Sequence, residues 1–197
     1  MPEKLVWQHT TALLLGGASR RMGRPKQDMV GPDGRTMLQM ALDTARGIGR
    51  RVIVSGPAGL VEGVQHVADE REDCGPLAGI EAVLNSGIDD CYLFMPCDMP
   101  GLTVDILHRL VEGIGTSQAA VFMHPDGKSR AMLPLVLRTS TLAHLQGNIE
   151  SGNRSVHGFL EAIHVAGIEL GPDEGDVLVN INNQSDWQNY LEATIRP

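Results

Sequence analysis

Short apolar runs alternate with amphipathic segments along most of the sequence, and this alternation restricts the fold more than any single motif does. The apolar runs predict strands, and the amphipathic segments between them predict helices. The predicted strands cover residues 11–15, 51–55, 64–68, 91–95, 119–124, 132–137 and 177–181. The predicted helices cover residues 36–47, 76–86, 103–112, 139–145, 155–164 and 185–194, with Thr103, Ser155 and Ser185 as N-caps. This order favours an α/β fold with a mostly parallel sheet and helices on both of its faces.

Length, composition and charge narrow the class of protein. The chain has 197 residues, 42% of them hydrophobic, which suits a single domain over residues 1–197 with residues 1–9 as an N-terminal extension. It has no apolar run of about 18 residues, as a membrane span requires, and residues 1–10 lack the apolar region of a secretion signal. The three cysteines form no C-x-x-C pair. From the absence of a membrane span, a secretion signal and paired cysteines, we expect a cytoplasmic protein without a membrane partner. Because the net charge is −8, we expect it to bind a small ligand and no nucleic acid.

The loop after the first predicted strand combines glycine with a cluster of positive charge. Gly16 and Gly17 lack a Cβ atom, so the backbone there can lie close to a ligand. Four cations follow closely, namely Arg20, Arg21, Arg24 and Lys26. The pattern is neither the G-x-x-x-x-G-K-[ST] of P-loops nor the G-x-G-x-x-G of dinucleotide folds. It predicts a polyphosphate site in which Lys26 supplies a point charge and Arg21 binds bidentately, with a solvated basic turn as the alternative.

A carboxylate follows the fourth predicted strand directly. Asp98 lies between Pro96 and Pro100, at the end of the apolar run 91–95. Mg²⁺ prefers one or two carboxylates together with phosphate oxygens of a substrate, so Asp98 is well placed as its ligand. The alternative is an aspartate that caps the following turn. The phosphate loop favours the metal, which would neutralise charge on a pyrophosphate leaving group.

Further candidates lie in loops that a parallel sheet would bring to the same edge. Residues 74–79 predict a tight turn that opens a helix, where Gly75 can present backbone groups to a base. Asp69, just before this turn, can bind a ribose hydroxyl or a base N–H, or can be a solvated loop acid. A cluster of amide side chains lies at and after the end of the last predicted strand: Asn180, Asn182 and Asn183. Amides suit recognition of a ligand by uncharged hydrogen bonds, and Asn183 can alternatively cap the following helix.

Four motifs stand in a fixed order along the chain. They are Leu14-Leu15-Gly16-Gly17-Ala18-Ser19-Arg20-Arg21-Met22-Gly23 with Lys26, Gly75-Pro76-Leu77-Ala78-Gly79, Pro96-Cys97-Asp98-Met99-Pro100 and Asn180-Ile181-Asn182-Asn183. In this order they resemble the molybdenum cofactor guanylyltransferase family of nucleotidyltransferases, over residues 10–195. The resemblance implies a Rossmann-like three-layer sandwich and Mg²⁺-dependent transfer of GMP from GTP to the terminal phosphate of molybdopterin, with release of pyrophosphate.

The same resemblance implies roles for individual residues. Those implied at the nucleotide are Leu14, Leu15, Gly16, Gly17, Lys26, Ser55, Asp69, Gly75 and Asp98. Those implied in catalysis are Arg21, Lys26 and Asp98, with Asp98 as the Mg²⁺ ligand. Those implied at the acceptor are Arg154, Asn180 and Asn182. Because the acceptor's own phosphate attacks, catalysis would consist of positioning and charge neutralisation.

Some positions depart from the family's pattern, and two alternatives accompany the guanylyltransferase hypothesis. Leu15 stands where a small alanine is usual, Ser55 stands where asparagine is frequent, and residues 130–135 lack the usual His/Gln-Pro. One alternative is a cytidylyltransferase that uses CTP and acts on molybdopterin or another phosphorylated acceptor. The other is a non-catalytic GTP-binding accessory protein. The implied partners are GTP, molybdopterin and, transiently, cofactor-biosynthesis or recipient molybdoenzyme proteins.

Overall fold

One sheet organises the chain in the computed structural model, which describes residues 8–15, 26–69, 71, 74–124, 126–171 and 173–195. Within these ranges the sheet contains seven strands. They are β1 (Thr10–Leu14), β2 (Arg51–Ser55), β3 (Gln65–Val67), β4 (Cys91–Pro96), β5 (Ala119–Met123), β6 (Arg130–Arg138) and β7 (Val165–Glu169).

Helices connect most of these strands. They are α1 (Met37–Ile48), α2 (Pro76–Asn85), α3 (Val104–Gly113), α4 (Leu142–Glu150), α5 (Val156–Glu161) and α6 (Gln184–Ile195). Short 3₁₀ turns cover Lys26–Asp28, Thr139–Thr141 and Gly175–Leu178. Among the described residues, no helix has both the length and the apolar composition that crossing a bilayer requires.

The sheet has the order β3-β2-β1-β4-β6-β5-β7 and is mostly parallel. β1 pairs in parallel with both β2 and β4, and parallel pairs also join β2 to β3 and β5 to β7. Only β6 runs antiparallel to its neighbours β4 and β5 in this sheet. The prediction of a mostly parallel α/β sheet is therefore confirmed.

Helices cover both faces of the sheet, as expected. Successive side chains of a strand point to opposite faces, and all five residues of β1 are buried. Leu13 packs with residues of α1 and α3 on one face, whereas Leu14 packs with residues of α2, α4 and α5 on the other. This arrangement forms the three predicted layers.

Two strand predictions were wrong. Residues 177–181, predicted as a strand, begin inside the 3₁₀ turn Gly175–Leu178 and do not join the sheet. Their apolar pattern reflects burial of Leu178 and Ile181 against other parts of the core. The edge strand β7 was missed, because its sequence Val-Ala-Gly-Ile-Glu is short and only half-buried and carries little strand signal.

The predicted N-caps are confirmed at two helices and wrong at the third. The Thr103 and Ser155 side chains accept hydrogen bonds from the backbone N–H groups of Ile106 and Gly158. At α6, however, the N–H of Asp186 donates to Oδ1 of Asn183 at 3.0 Å. Asn183 therefore caps α6, and Ser185 lies inside its first turn.

A stability measurement can show whether Asn183 or Ser185 caps α6. Asn183→Ala removes the cap and should lower the free energy of unfolding by about 1 kcal/mol. Ser185→Ala should change it by less than about 0.5 kcal/mol. Urea denaturation of both variants checks this expectation. Equal losses in the two variants would contradict the assignment of Asn183 as the cap.

Candidate active site

The candidate site is a cavity of about 420 Å³ at the carboxyl edge of the central strands. The chain leaves β1 toward β2 and β3 and later returns to β4 on the other side of β1, so the switch in strand order lies between β1 and β4. Ligands of open α/β sheets bind in the crevice at such a point. The parallel register places Leu14 opposite both Ser55 and Pro96, which brings three strand ends together.

Most of the predicted site residues that the structure describes line this cavity. They are Leu14, Ser55, Asp69, Gly75, Asp98, Asn180 and Asn182. The loops after β3 and β4 therefore meet at one edge, as the parallel sheet predicted. Their roles toward a ligand stay predictions.

Other predicted residues lie elsewhere or outside the described ranges. The Leu15 side chain is buried in the core on the α1 and α3 face, and its N–H donates to the Ser55 carbonyl at 2.7 Å. Arg154 lies in the exposed segment between α4 and α5 and is not among the residues that line the cavity. Gly16, Gly17 and Arg21 are outside the described residues, and of Lys26 only the backbone is described.

A hydrogen-bonded pair forms one wall of the cavity. The buried Ser55 hydroxyl donates to Oδ1 of Asp69 at 2.8 Å. This bond fixes the Asp69 carboxylate, which is otherwise exposed in the segment after β3. Among the described residues, no group donates a hydrogen bond to Oδ2 of Asp69, which can therefore accept one from a ligand N–H or O–H.

Gly79 of α2 makes room for this pair. A Cβ atom on Gly79 would lie 2.5 Å from Oγ of Ser55 and 3.3 Å from Oδ1 of Asp69. Both distances are shorter than ordinary van der Waals contact. Helix α2 can therefore approach the ends of β1 and β2 only because this position has no side chain.

A salt bridge holds the same loop to α2. The Arg71 guanidinium donates to both carboxylate oxygens of Glu81, at 2.6 and 3.0 Å. These hydrogen bonds raise the pKa of Arg71, and the Glu81 side chain is only 7% exposed. Because the pair is bidentate and largely desolvated on the Glu81 side, it restrains the chain just after Asp69.

Asp98, Asn180 and Asn182 form the other side of the cavity. Asp98 is half-buried at the end of β4, and its backbone carbonyl accepts a hydrogen bond from the N–H of Ile181 at 2.8 Å. Ile181 is fully buried, so this bond and its packing hold the flanking Asn180 and Asn182 beside Asp98.

The donor set around Asp98 fits Mg²⁺ held jointly with a substrate. The described residues contain no group of three or more His, Cys, Asp or Glu side chains arranged to hold a metal ion. Mg²⁺ does not require such a group, since one or two carboxylates and phosphate oxygens of a nucleotide suffice. Asp98 is the residue of this cavity that would hold the ion.

No predicted site residue lies on the remaining wall of the cavity, although residues 130–135 were among the departures from the family's pattern. His124, Arg130, Met132 and Leu133 also line it. β5 runs parallel to β7 and antiparallel to β6, and β6 runs antiparallel to β4. Consequently the end of β5 and the beginning of β6 both reach the ligand edge. No local signal in the sequence reveals the direction of β6.

The geometry agrees with the comparisons with known proteins. A family model described as "MobA-like NTP transferase domain" matches residues 11–165. The chain belongs to this family of nucleotidyltransferases. The matched range includes all of β1 but its first residue, together with Ser55, Asp69, Asp98 and the whole of β6.

Individual relatives extend the likeness over nearly the whole chain. This nucleotidyltransferase is 26% identical over 186 residues to a molybdenum cofactor guanylyltransferase of Shewanella baltica, covering 92% of this chain and 94% of that protein. It superposes with TM-score 0.78, at 20% identity, on a molybdopterin-guanine dinucleotide biosynthesis protein A from Archaeoglobus fulgidus, covering 94% and 98% of the two chains. A 2-C-methyl-D-erythritol 4-phosphate cytidylyltransferase from Thermus thermophilus gives TM-score 0.69 at 18% identity, covering 93% and 97%. The two solved structures show the shared fold alone.

Gly79 and Gly147 provide a matched test of the cavity wall. Gly79→Ala forces Ser55 and Asp69 apart and should weaken binding of a nucleoside triphosphate at least about tenfold, with a loss of about 1–3 kcal/mol in the free energy of unfolding. Gly147 lies in α4 with no atom within 4 Å of a Cβ placed there. Gly147→Ala should therefore raise stability by about 0.5–1 kcal/mol and leave binding unchanged.

Calorimetric titrations with GTP and with CTP, together with urea denaturation, measure both effects. If Gly79→Ala bound both nucleotides as the unmodified protein does, the wall formed by Ser55 and Asp69 would not belong to the nucleotide site.

Proposed function

We propose that this protein is a molybdenum cofactor guanylyltransferase, which transfers GMP from GTP to the terminal phosphate of molybdopterin and releases pyrophosphate. The observation that carries the proposal is the meeting, in one cavity, of the Ser55–Asp69 pair with Asp98 and the two asparagines. The full-length likeness to proteins named for this activity supports it. A cytoplasmic location and transient contact with recipient molybdoenzymes belong to the same proposal.

The two sides of the cavity would hold the two substrates. Leu14, Ser55, Asp69 and Gly75 form the nucleotide side. Oδ2 of Asp69 can accept hydrogen bonds, which suits the N–H donors on the base-pairing edge of guanine or a ribose hydroxyl. The glycine loop with Arg21 and Lys26 would hold the phosphates, and Asn180 and Asn182 would contact the acceptor where it enters the cavity.

The reaction requires no nucleophile from the protein. An oxygen of the acceptor phosphate forms a bond to the α-phosphorus of GTP as the bond from that phosphorus to pyrophosphate breaks, and the bonding electrons leave with pyrophosphate. The side chains of the cavity hold the two phosphates in line for this step. Mg²⁺ bound at Asp98 would supply neutralisation of the charge that gathers on the leaving group.

The product assay tests nucleotide, acceptor and turnover together. Purified protein with Mg²⁺ and molybdopterin should release pyrophosphate with GTP and much less with CTP, and EDTA should stop the release. A preference for CTP would replace the guanylyl assignment with a cytidylyl one. Binding of GTP with no release of pyrophosphate would favour the accessory-protein alternative.

Asp98 and Asp105 provide a matched pair for the metal assignment. Asp98→Ala should lower kcat at least about a hundredfold, because charge on the leaving group loses its counter-ion, while the urea midpoint stays close to that of the unmodified protein. Asp105 is an exposed acid in the first turn of α3, and Asp105→Ala should keep nearly full activity. Turnover that survives Asp98→Ala would exclude Asp98 as the metal ligand.

A further inference from the structure

The turn between β5 and β6 carries two cations at the mouth of the cavity. Arg130 begins β6 and lines both the central cavity and a neighbouring groove, and Lys128 lines the groove. Both residues are exposed. This turn is therefore the point at which a ligand that passes from the groove into the cavity meets positive charge.

Asp126 holds the turn in shape. Its Oδ1 accepts the backbone N–H groups of Lys128 and Ser129, each at 2.8 Å, and its Oδ2 accepts the Ser129 hydroxyl. These hydrogen bonds, that of the Ser129 hydroxyl foremost, lower the pKa of Asp126 to about 2. The N–H of His124 also donates to the Ser129 carbonyl at 2.8 Å, which closes the hairpin. The backbone that carries Lys128 and Arg130 is thus restrained without using either cation.

Within the described ranges, neither cation is paired with a protein carboxylate. Elsewhere in the fold, three arginines form close salt bridges: Arg35 with Asp33, Arg71 with Glu81 and Arg109 with Glu174. Among the residues that the structure describes, no salt bridge involves Lys128 or Arg130. In a chain with a net charge of −8, two such cations beside the cavity would attract an anion.

The groove is large enough for the body of a ligand. It is open to solvent, has a volume of about 800 Å³ between the turn and α5, and its far wall includes Leu160 and Ile163. Glu161 also lines it and lies 3.7 Å from Nδ1 of His157. This carboxylate repels an anion from the α5 side, so the anionic group of a ligand belongs at the Arg130 side. Arg154, which the sequence placed at the acceptor, precedes α5 along the chain.

We infer that Arg130 and Lys128 bind the phosphate of the acceptor, and that the rest of the acceptor lies in the groove between the β5–β6 turn and α5. The inference rests on the proposed function for the identity of the acceptor. The observation that supports the inference is that Arg130 and Met132 line both the groove and the cavity that contains Asp98. A guanidinium binds a phosphate bidentately, and would hold the acceptor phosphate facing the nucleotide.

Direct binding of inorganic phosphate tests the site without assuming turnover. Inorganic phosphate is titrated into protein saturated with GTP, and the backbone amide chemical shifts of residues 128–130 are followed by NMR. These shifts should move with phosphate concentration, and the phosphate affinity that they report should be at least tenfold weaker in Arg130→Gln. Arg51→Gln serves as the control, since Arg51 is an exposed arginine at the opposite end of the sheet, at the start of β2. Equal titrations in the unmodified protein and Arg130→Gln, or equal weakening in both variants, would overturn the site.

Kinetics then separates this inference from the proposed function. Arg130→Gln should raise KM for molybdopterin at least tenfold with KM for GTP unchanged, and Arg130→Lys should recover part of the loss because it keeps the charge. An unaltered acceptor KM in an active Arg130→Gln enzyme would refute the inference while the proposed function stands. Phosphate binding at residues 128–130 without any pyrophosphate release from the unmodified protein would refute the proposed function while the anion site stands.

Discussion

The parallel hydrogen-bond ladders that β1 makes with β2 and β4 are the constraint on which the candidate site depends. They align Leu14 with Ser55 on one side and with Pro96 on the other, so the loops that follow these strands start at the same level. One strand register thus brings Asp69, held through Ser55, to the same cavity as Asp98. A slip of one residue would turn each strand's side chains to the opposite face and separate the two carboxylates.

The second constraint is that hydrogen bonds within the protein hold the loops around the cavity in place before a ligand binds. Arg71 with Glu81 and Ser55 with Asp69 hold the loop after β3, and the bond from Ile181 to the Asp98 carbonyl holds the asparagine segment. Backbone bonds and one oxygen of Asp69 thus fix these segments, while Oδ2 of Asp69 takes no part in holding them among the described residues. The same division occurs in the β5–β6 turn, where Asp126 restrains the chain that carries Arg130. A family that binds highly charged nucleotides needs such pre-positioning, because reorganisation on binding would lower affinity.

Sequence reasoning succeeded where the local pattern and the tertiary role agree. The apolar runs of β1, β2 and β4 are strands in the centre of the sheet, and Thr103 and Ser155 cap the helices that follow them. It failed where apolar residues are buried without joining the sheet, as at Leu178 and Ile181, and where an edge strand is half-exposed, as in β7. Serine and asparagine are both favourable N-cap residue types, and only the observed start of α6 shows that Asn183, and not Ser185, is the cap.

The sequence by itself determined the α/β class, the acidic balance, and the position of Ser55 at the end of one apolar strand and of Asp69 and Asp98 after two others, because strand and turn preferences are local properties of the chain. The tertiary structure alone decided that Leu14 lines the cavity while Leu15 is buried in the opposite layer. Successive side chains of a strand point to opposite faces, but which face borders the cavity depends on the helices that pack on each side. It also decided that Arg130 reaches the site, because the direction of β6 is set by pairing with β4 and β5 and by nothing within β6 itself.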